Sequence, residues 1–234
     1  MTLLTVVQSV CQVVGVTSPT SIFSGITGNR TMQEMLDLAN EMAQRIATDT
    51  REWTKLKKIH TLTGDGIKTA FDLPANYKRM LLSANVWRST SATQPMTFVP
   101  DTDEWMQRRA QGYYSAWGEW TMLGGQMLIE PVMGAGITAT FAYLDKNCIQ
   151  LASGGFGDAF IADGDGFLLG DRLLKLGMVF QWKAQKGTPY TEDMATYGDA
   201  LTVAMGSDQP APIFVGHLPI SRNTKVAYPF PVPT

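Results

Sequence analysis

A glycine-aspartate turn deep inside this chain, with helical spacing on both sides of it, most restricts what the sequence can fold into. It lies in the stretch from Trp53 to Met80, WTKLKKIHTLTGDGIKTAFDLPANYKRM. The order of residues predicts a basic strand, a turn at Gly64-Asp65-Gly66, a second strand ending at Asp72-Leu73-Pro74, and a turn into the apolar run from Met80 to Trp87. Glycine beside aspartate supplies the positive φ that a tight hairpin needs. Alternation of Trp53, Lys55, Lys57, Ile59 and Leu62 against Leu56, Lys58 and His60 is irregular, so pattern does not define which face of the strand points inward.

Before this stretch the spacing is helical. Leu3, Val7, Val10 and Val14 recur along one face, with Thr2 placed as a cap and Gly15 as a stop. A loop rich in Ser, Thr and Gly follows to Arg30. Thr31-Met32-Gln33-Glu34 then fits a capping box, and Met32, Met35, Leu36, Ala39, Met42, Ala43 and Ile46 carry a second helix to about Asp49. After the central stretch, Asp101-Thr102-Asp103-Glu104 predicts another capped helix that stops at Gly112. Two apolar runs flank Gly124-Gly125 and read as a hairpin, and Ile137 to Leu144 alternates like a further strand. The segment from Trp53 to Leu144 thus holds about six short strands, by ordinary strand lengths. Gly154-Gly155, Gly157, Gly164 and Gly166 suit a flexible connector. From Phe167 to Lys186, Leu169, Leu173, Leu176 and Phe180 restore a helical stripe, and a last helix restarts at Thr188-Pro189 with Met194, Tyr197, Leu201 and Met205 on one face.

The expected fold is therefore α+β: a helical bundle from both chain ends (residues 1–50 and 165–206) with an inserted small antiparallel β barrel or sandwich (51–148), a glycine-rich connector (149–164) and an extended, proline-rich C-terminal arm (207–234). Half of the 12 prolines fall between Asp208 and Thr234, so no helix can run there. Yet Ile213, Phe214, Val215, Leu218, Tyr228 and Phe230 are too apolar for a solvated tail, which makes them the candidate partner-interface residues. Docking onto another subunit and folding back onto the same chain both satisfy that requirement.

Composition narrows the function classes. Lys plus Arg is 19, Asp plus Glu is 21 and the formal net charge is -2, which argues against a surface built to wrap nucleic acid. Two cysteines, Cys11 and Cys148, sit in apolar runs and read as small hydrophobes in a reducing compartment. No run approaches the ~20 apolar residues that cross a bilayer. The apolar start of the chain is interrupted by Gln8, Ser9 and Gln12 and does not read as a signal peptide. A chain of this kind is expected to be soluble and cytoplasmic when made.

No catalytic constellation is visible. His60 and His217 stand in no Ser/His/Asp or Cys/His arrangement. Asp163-Gly164-Asp165-Gly166 resembles part of a calcium loop but lacks the later bidentate Glu, so a loop leading into a helix is expected instead. Gly154-Gly155-Phe156-Gly157 lacks the spacing of a dinucleotide site. Lys55, Lys57 and Lys58 suit a solvated strand edge more than a contact with DNA or an acidic partner, and Trp117 and Trp120 suit either core or an interface. The sequence thus predicts no catalytic residue, metal or cofactor.

Taken in order, several short motifs carry a resemblance. They are Trp53-Thr54-Lys55-Leu56, Leu62-Thr63-Gly64-Asp65-Gly66, Phe71-Asp72-Leu73-Pro74-Ala75-Asn76-Tyr77-Lys78-Arg79-Met80 and Val86-Trp87. Further on come Asp103-Glu104-Trp105, Leu123-Gly124-Gly125-Gln126-Met127, Glu130-Pro131, Ala142-Tyr143, Leu173 to Trp182, Lys186-Gly187-Thr188-Pro189-Tyr190 and Tyr197. In that order, spanning nearly all of Thr31 to Gly206, the chain resembles tailed-phage head-to-tail connector adaptor proteins. The resemblance implies a structural virion protein in the phage neck, assembled in the host cytoplasm as a homo-oligomeric ring, a dodecamer, between the portal protein and a tail or nozzle protein. Double-stranded DNA would pass through the lumen without specific binding, no membrane would be involved, and the C-terminal segment would reach the portal. The long N-terminal loop and the length of the arm depart from the family. The alternative is a monomeric β-domain binding module for sugar or peptide with helical flanks, which would expose Trp117 and Trp120 in a groove.

Overall fold

The computed structural model describes residues 1–24, 28–91 and 93–208. Among these residues the chain is α+β, with five α-helices and three small sheets. Helix α1 (Leu3–Val14) begins where Thr2 Oγ1 accepts the Thr5 N–H and ends at Gly15, whose φ of 75° turns the chain out of the helix. Helix α2 (Arg30–Gln44) is capped by Asn29, which accepts the Met32 N–H, and not by the expected Thr31 box. Glu34 bonds Arg30 and Lys186 instead, so the ion pairs took the carboxylate that the box required. A π-turn (Arg45–Asp49) prolongs α2.

A 3-10 turn (Thr54–Leu56) leads into β1 (Lys57–Thr63), followed by β2 (Ala70–Asp72), β3 (Tyr77–Met80), β4 (Trp87–Arg88) and β5 (Thr97–Phe98). Then come α3 (Thr102–Gln111), β6 (Glu119–Leu123), β7 (Gln126–Glu130) and β8 (Thr138–Asp145). Short strands β9 (Ile149–Gln150), β10 (Phe156–Gly157) and β11 (Gly166–Phe167) precede α4 (Asp171–Gln185) and α5 (Thr191–Ser207).

The expected hairpin across Gly64-Asp65-Gly66 does not form. Instead β1 pairs antiparallel with β8, in the sheet β1-β8-β3 that β4 also joins, while β2 crosses to the sheet β2-β7-β6-β5. Long-range contact overrides the local turn signal here. Gly64 N–H donates to Ile137 O at 2.8 Å and Gly66 N–H to Met133 O at 3.0 Å, which seats the turn on the loop after β7. A Cβ at Gly64 would lie 2.6 Å from Met133 atoms, so only glycine fits. The hairpin at Gly124-Gly125 forms as expected, both glycines having positive φ. β5 runs parallel to β6, so its sheet is mixed, and none of the three sheets closes into a barrel.

Two cores result. Leu62, Phe71, Trp120, Met127, Ile129, Phe141 and Tyr143 join the two larger sheets in one cluster. The other gathers α1, α2, α4 and α5 around Val7, Met35, Met42, Leu174, Met178 and Tyr197, and takes in Trp53, Leu56, Leu144 and Ile149. Helices from both ends of the chain therefore share one core. Gly177 allows their close approach, since a Cβ there would meet the Met42 methyl at 2.5 Å. The glycine-rich segment is held in place around Asp165. Buried completely, its carboxylate accepts the N–H groups of Ala152, Ile161 and Ala162, while its carbonyl accepts the Leu3 N–H at 2.7 Å.

Candidate interaction surfaces

The seam between the helical and β parts is built from the end of α2. In the π-turn the Ile46 carbonyl accepts both the Thr50 hydroxyl and the Trp53 indole N–H, each at 2.7 Å. That bond and its burial fix Trp53, and so the direction in which β1 leaves. Glu52 reaches across to the strands, accepting from Arg79 Nη1 and from the Leu82 N–H, both at 2.8 Å. Burial pushes the Glu52 carboxyl up, but the Leu82 N–H and the Arg79 guanidinium more than offset it and hold the group below its ordinary range.

Beside this pair Arg51 donates to the Met205 carbonyl and stands 3.7 Å from the Asp208 carboxylate. Asp208 also accepts the Thr54 N–H at 3.0 Å and the Thr54 hydroxyl. An open polar groove of about 520 Å³ lies here, lined among others by Asp49, Arg51, Glu52, Lys57 and Arg79. Its Arg51, Glu52 and Arg79 are already engaged in ion pairs, and the Glu52–Arg79 pair fastens the end of the helical part to β3.

A second charged cluster was not foreseen. The last turn of α3 carries Arg108 and Arg109. Arg108 bonds Glu104 at 2.6 Å and Glu119 at 2.5 Å, and Arg109 stands 3.5 Å from Glu130. Glu119, only 1% exposed, also accepts the Ser115 N–H, while its Oε2 has no partner among the described residues. Burial raises the Glu130 carboxyl above its ordinary range, and Arg109 lowers it only in part.

The residues singled out by sequence do not converge. Lys55 donates to the Leu168 carbonyl, Lys58 lies 5.9 Å over the Phe156 ring and Lys57 lines the seam groove, so the three point to different surroundings. His60 meets the rings of Phe141 and Tyr143 edge-on, and burial lowers its pKa. Trp120 is buried against Phe98 with ring centroids 4.5 Å apart, whereas Trp117 is 39% exposed. Asp163 accepts the Ser21 hydroxyl and the Ile22 N–H, so it and Asp165 organise loops. Among the described residues no group of His, Cys, Asp and Glu is arranged to hold a metal, and no helix is long and apolar enough to cross a membrane. Ile213, Phe214, Val215, Leu218, Tyr228 and Phe230, like His217, lie outside the described residues. No protein-family model matches the chain, and no curated protein matches it significantly.

Proposed function

We propose that this chain is a head-to-tail adaptor of a tailed phage, a structural protein that forms a ring between the portal and a tail or nozzle protein. The observation that carries this reading is the shared core of α1 and α2 with α4 and α5, with the strands lying between them in sequence. That is the architecture the ordered motifs from Trp53 to Tyr197 imply. In this reading the two larger sheets form a small sandwich standing on the helices, and residues 207–234 form the extended arm whose Ile213, Phe214, Val215, Leu218, Tyr228 and Phe230 meet the portal.

A ring requires a heterologous interface repeated until its rotation closes, with twelve copies as the number implied by the resemblance. Arms add interface area without enlarging the core. DNA slides through such a ring, and a near-balanced charge avoids the strong phosphate attraction that would retain it. The role is assembly through surfaces, with no reaction catalysed.

The direct test mixes the full-length chain with the purified portal of the same phage and measures particle mass. A stoichiometric complex is expected, and removal of Pro210 to Thr234 should weaken it. If portal and chain remain separate at tens of micromolar, the adaptor reading falls.

A further inference from the structure

Among the described residues, strand β1 is an edge strand of its sheet. Gly64 N–H donates to Ile137 O, and on the other side of β8 the Leu81 and Ser89 N–H groups donate to Ala142 O and Thr138 O. This alternation directs the backbone groups of Lys58, His60 and Leu62 toward β8, and those of Ile59, Thr61 and Thr63 away from it. No described residue pairs with the outward groups. From Ile59 to Thr63 this edge has no proline, bulge or charge to blunt it, and Ile59 is 75% exposed. Side chains of the same residues lie on the outer face of the sheet, beside Thr140, Ala142 and Trp87.

Residues 225–234 read Lys-Val-Ala-Tyr-Pro-Phe-Pro-Val-Pro-Thr, with Pro229, Pro231 and Pro233 at alternate positions. Successive N–H groups of an extended chain point to opposite edges, so these prolines remove donors from one edge only. Val226, Tyr228, Phe230 and Val232 retain their donors on the other edge. All four are β-branched or aromatic, and in an extended chain they share one face. Such a segment can join a sheet as its last strand but cannot be followed by another.

We propose that residues 226–232 add antiparallel to β1 of the same chain, with Phe230 opposite Ile59, Tyr228 opposite Thr61 and Val226 opposite Thr63. Antiparallel pairing sets mutually bonded residues directly opposite on one face, so the aromatic side chains cover Ile59. Parallel pairing would move them to the face of His60. The connection fits, because Thr54 holds Asp208 just before β1. Residues 209–225 extend to at most about 60 Å, against about 23 Å for the seven residues of β1, so the segment can pass the far end of the strand and return. A tether this short gives an effective concentration of order millimolar, which favours the chain's own segment over that of a second copy at micromolar concentration. The prolines then form the new, blunted edge. This inference concerns the free chain and stands whether or not the chain is an adaptor.

Amide hydrogen exchange of the full chain, followed by NMR, tests it. The Ile59, Thr61 and Thr63 amides are expected to exchange at least tenfold more slowly in the wild type than in Tyr228→Pro, which removes a donor from the pairing edge. Ala227→Pro removes a donor from the opposite edge and should match the wild type. The Leu62 amide, which faces β8, should stay protected in every variant, and protection should not change between 10 and about 100 μM protein, where the ~millimolar tether dominates. Unprotected Ile59, Thr61 and Thr63 in the wild type, or equal exchange in the two proline variants, would overturn the pairing. Protection that grows with concentration would overturn its assignment to the same chain.

Discussion

Glu119 and Glu130 stand directly opposite one another on β6 and β7, and consecutive residues of α3, Arg108 and Arg109, answer them one each. Like charges opposed across a ladder repel. The two pairs differ in quality. Arg108 contacts Glu119 at 2.5 Å, while Arg109 stays 3.5 Å from a Glu130 whose carboxyl is raised.

Because the folded Glu130 carboxyl is raised, its contribution to stability is fully present below the unfolded value of about 4.3 and is lost as pH rises through the folded value. Glu130→Gln removes that loss. Urea unfolding should show its stability, relative to wild type, improving from pH 4 to pH 7. Glu52, held below its ordinary range, has the opposite sign: its contribution is present above about 4.3 and lost as pH falls through the folded value. Glu52→Gln should therefore be costlier at pH 7 than at pH 3. Arg108→Met, which leaves Glu119 buried without its cation, should lower the urea midpoint more than Glu104→Gln does.

Gly64 and Gly66 flank one turn but resist substitution for different reasons. At Gly64 the clash is with the backbone of Met133 and Gly134, which cannot yield, so Gly64→Ala should cost about 3 kcal/mol. At Gly66 there is space but φ is +85°, and Gly66→Ala should cost about 1 kcal/mol. Thermal unfolding of the two variants in one buffer distinguishes the cases.

Asp165→Asn should destabilise by about 2 kcal/mol, because an uncharged amide replaces a carboxylate that accepts three backbone N–H groups. The loss should extend to the start of α1, where Leu3 bonds the Asp165 carbonyl. Faster exchange of the Ala152, Ile161 and Leu3 amides together is the expected signature.

Burial pushes the Cys148 thiol up to about 12, and it raises Cys11 as well. Both thiols should resist alkylation at pH 8 in the folded chain and react fully in denaturant. Rapid labelling of Cys148 in the native state would contradict its environment.

The helices were legible because their signals are local. Apolar spacing located α1, α2 and α4, and the glycines after α1 and α3 ended them where expected. Strand partners were not, because Gly64-Asp65-Gly66 looks the same whether its strands pair or part; the difference lies in Met133 and Ile137, some 70 residues on. Opposition of Glu119 and Glu130 was available from sequence. A two-residue loop at Gly124-Gly125 sets residues equidistant from it face to face, and extending that register outward reaches both carboxylates. Arg108 and Arg109 were not available, since helix packing angles decide where α3 delivers them. The surroundings of Lys55 and Lys58 likewise depend on Leu168 and Phe156, at β11 and β10, whose two-residue strands carry no periodic signal.

Asp208 is fastened to Thr54 and Arg51, so tension applied to the residues beyond it does not simply peel α5 from its end. The load enters at the root of β1, between the helices and the sheets. Anything that grips residues 209–234 therefore pulls first on Thr54 and Arg51, beside the Trp53 that ties the start of β1 to the helical core.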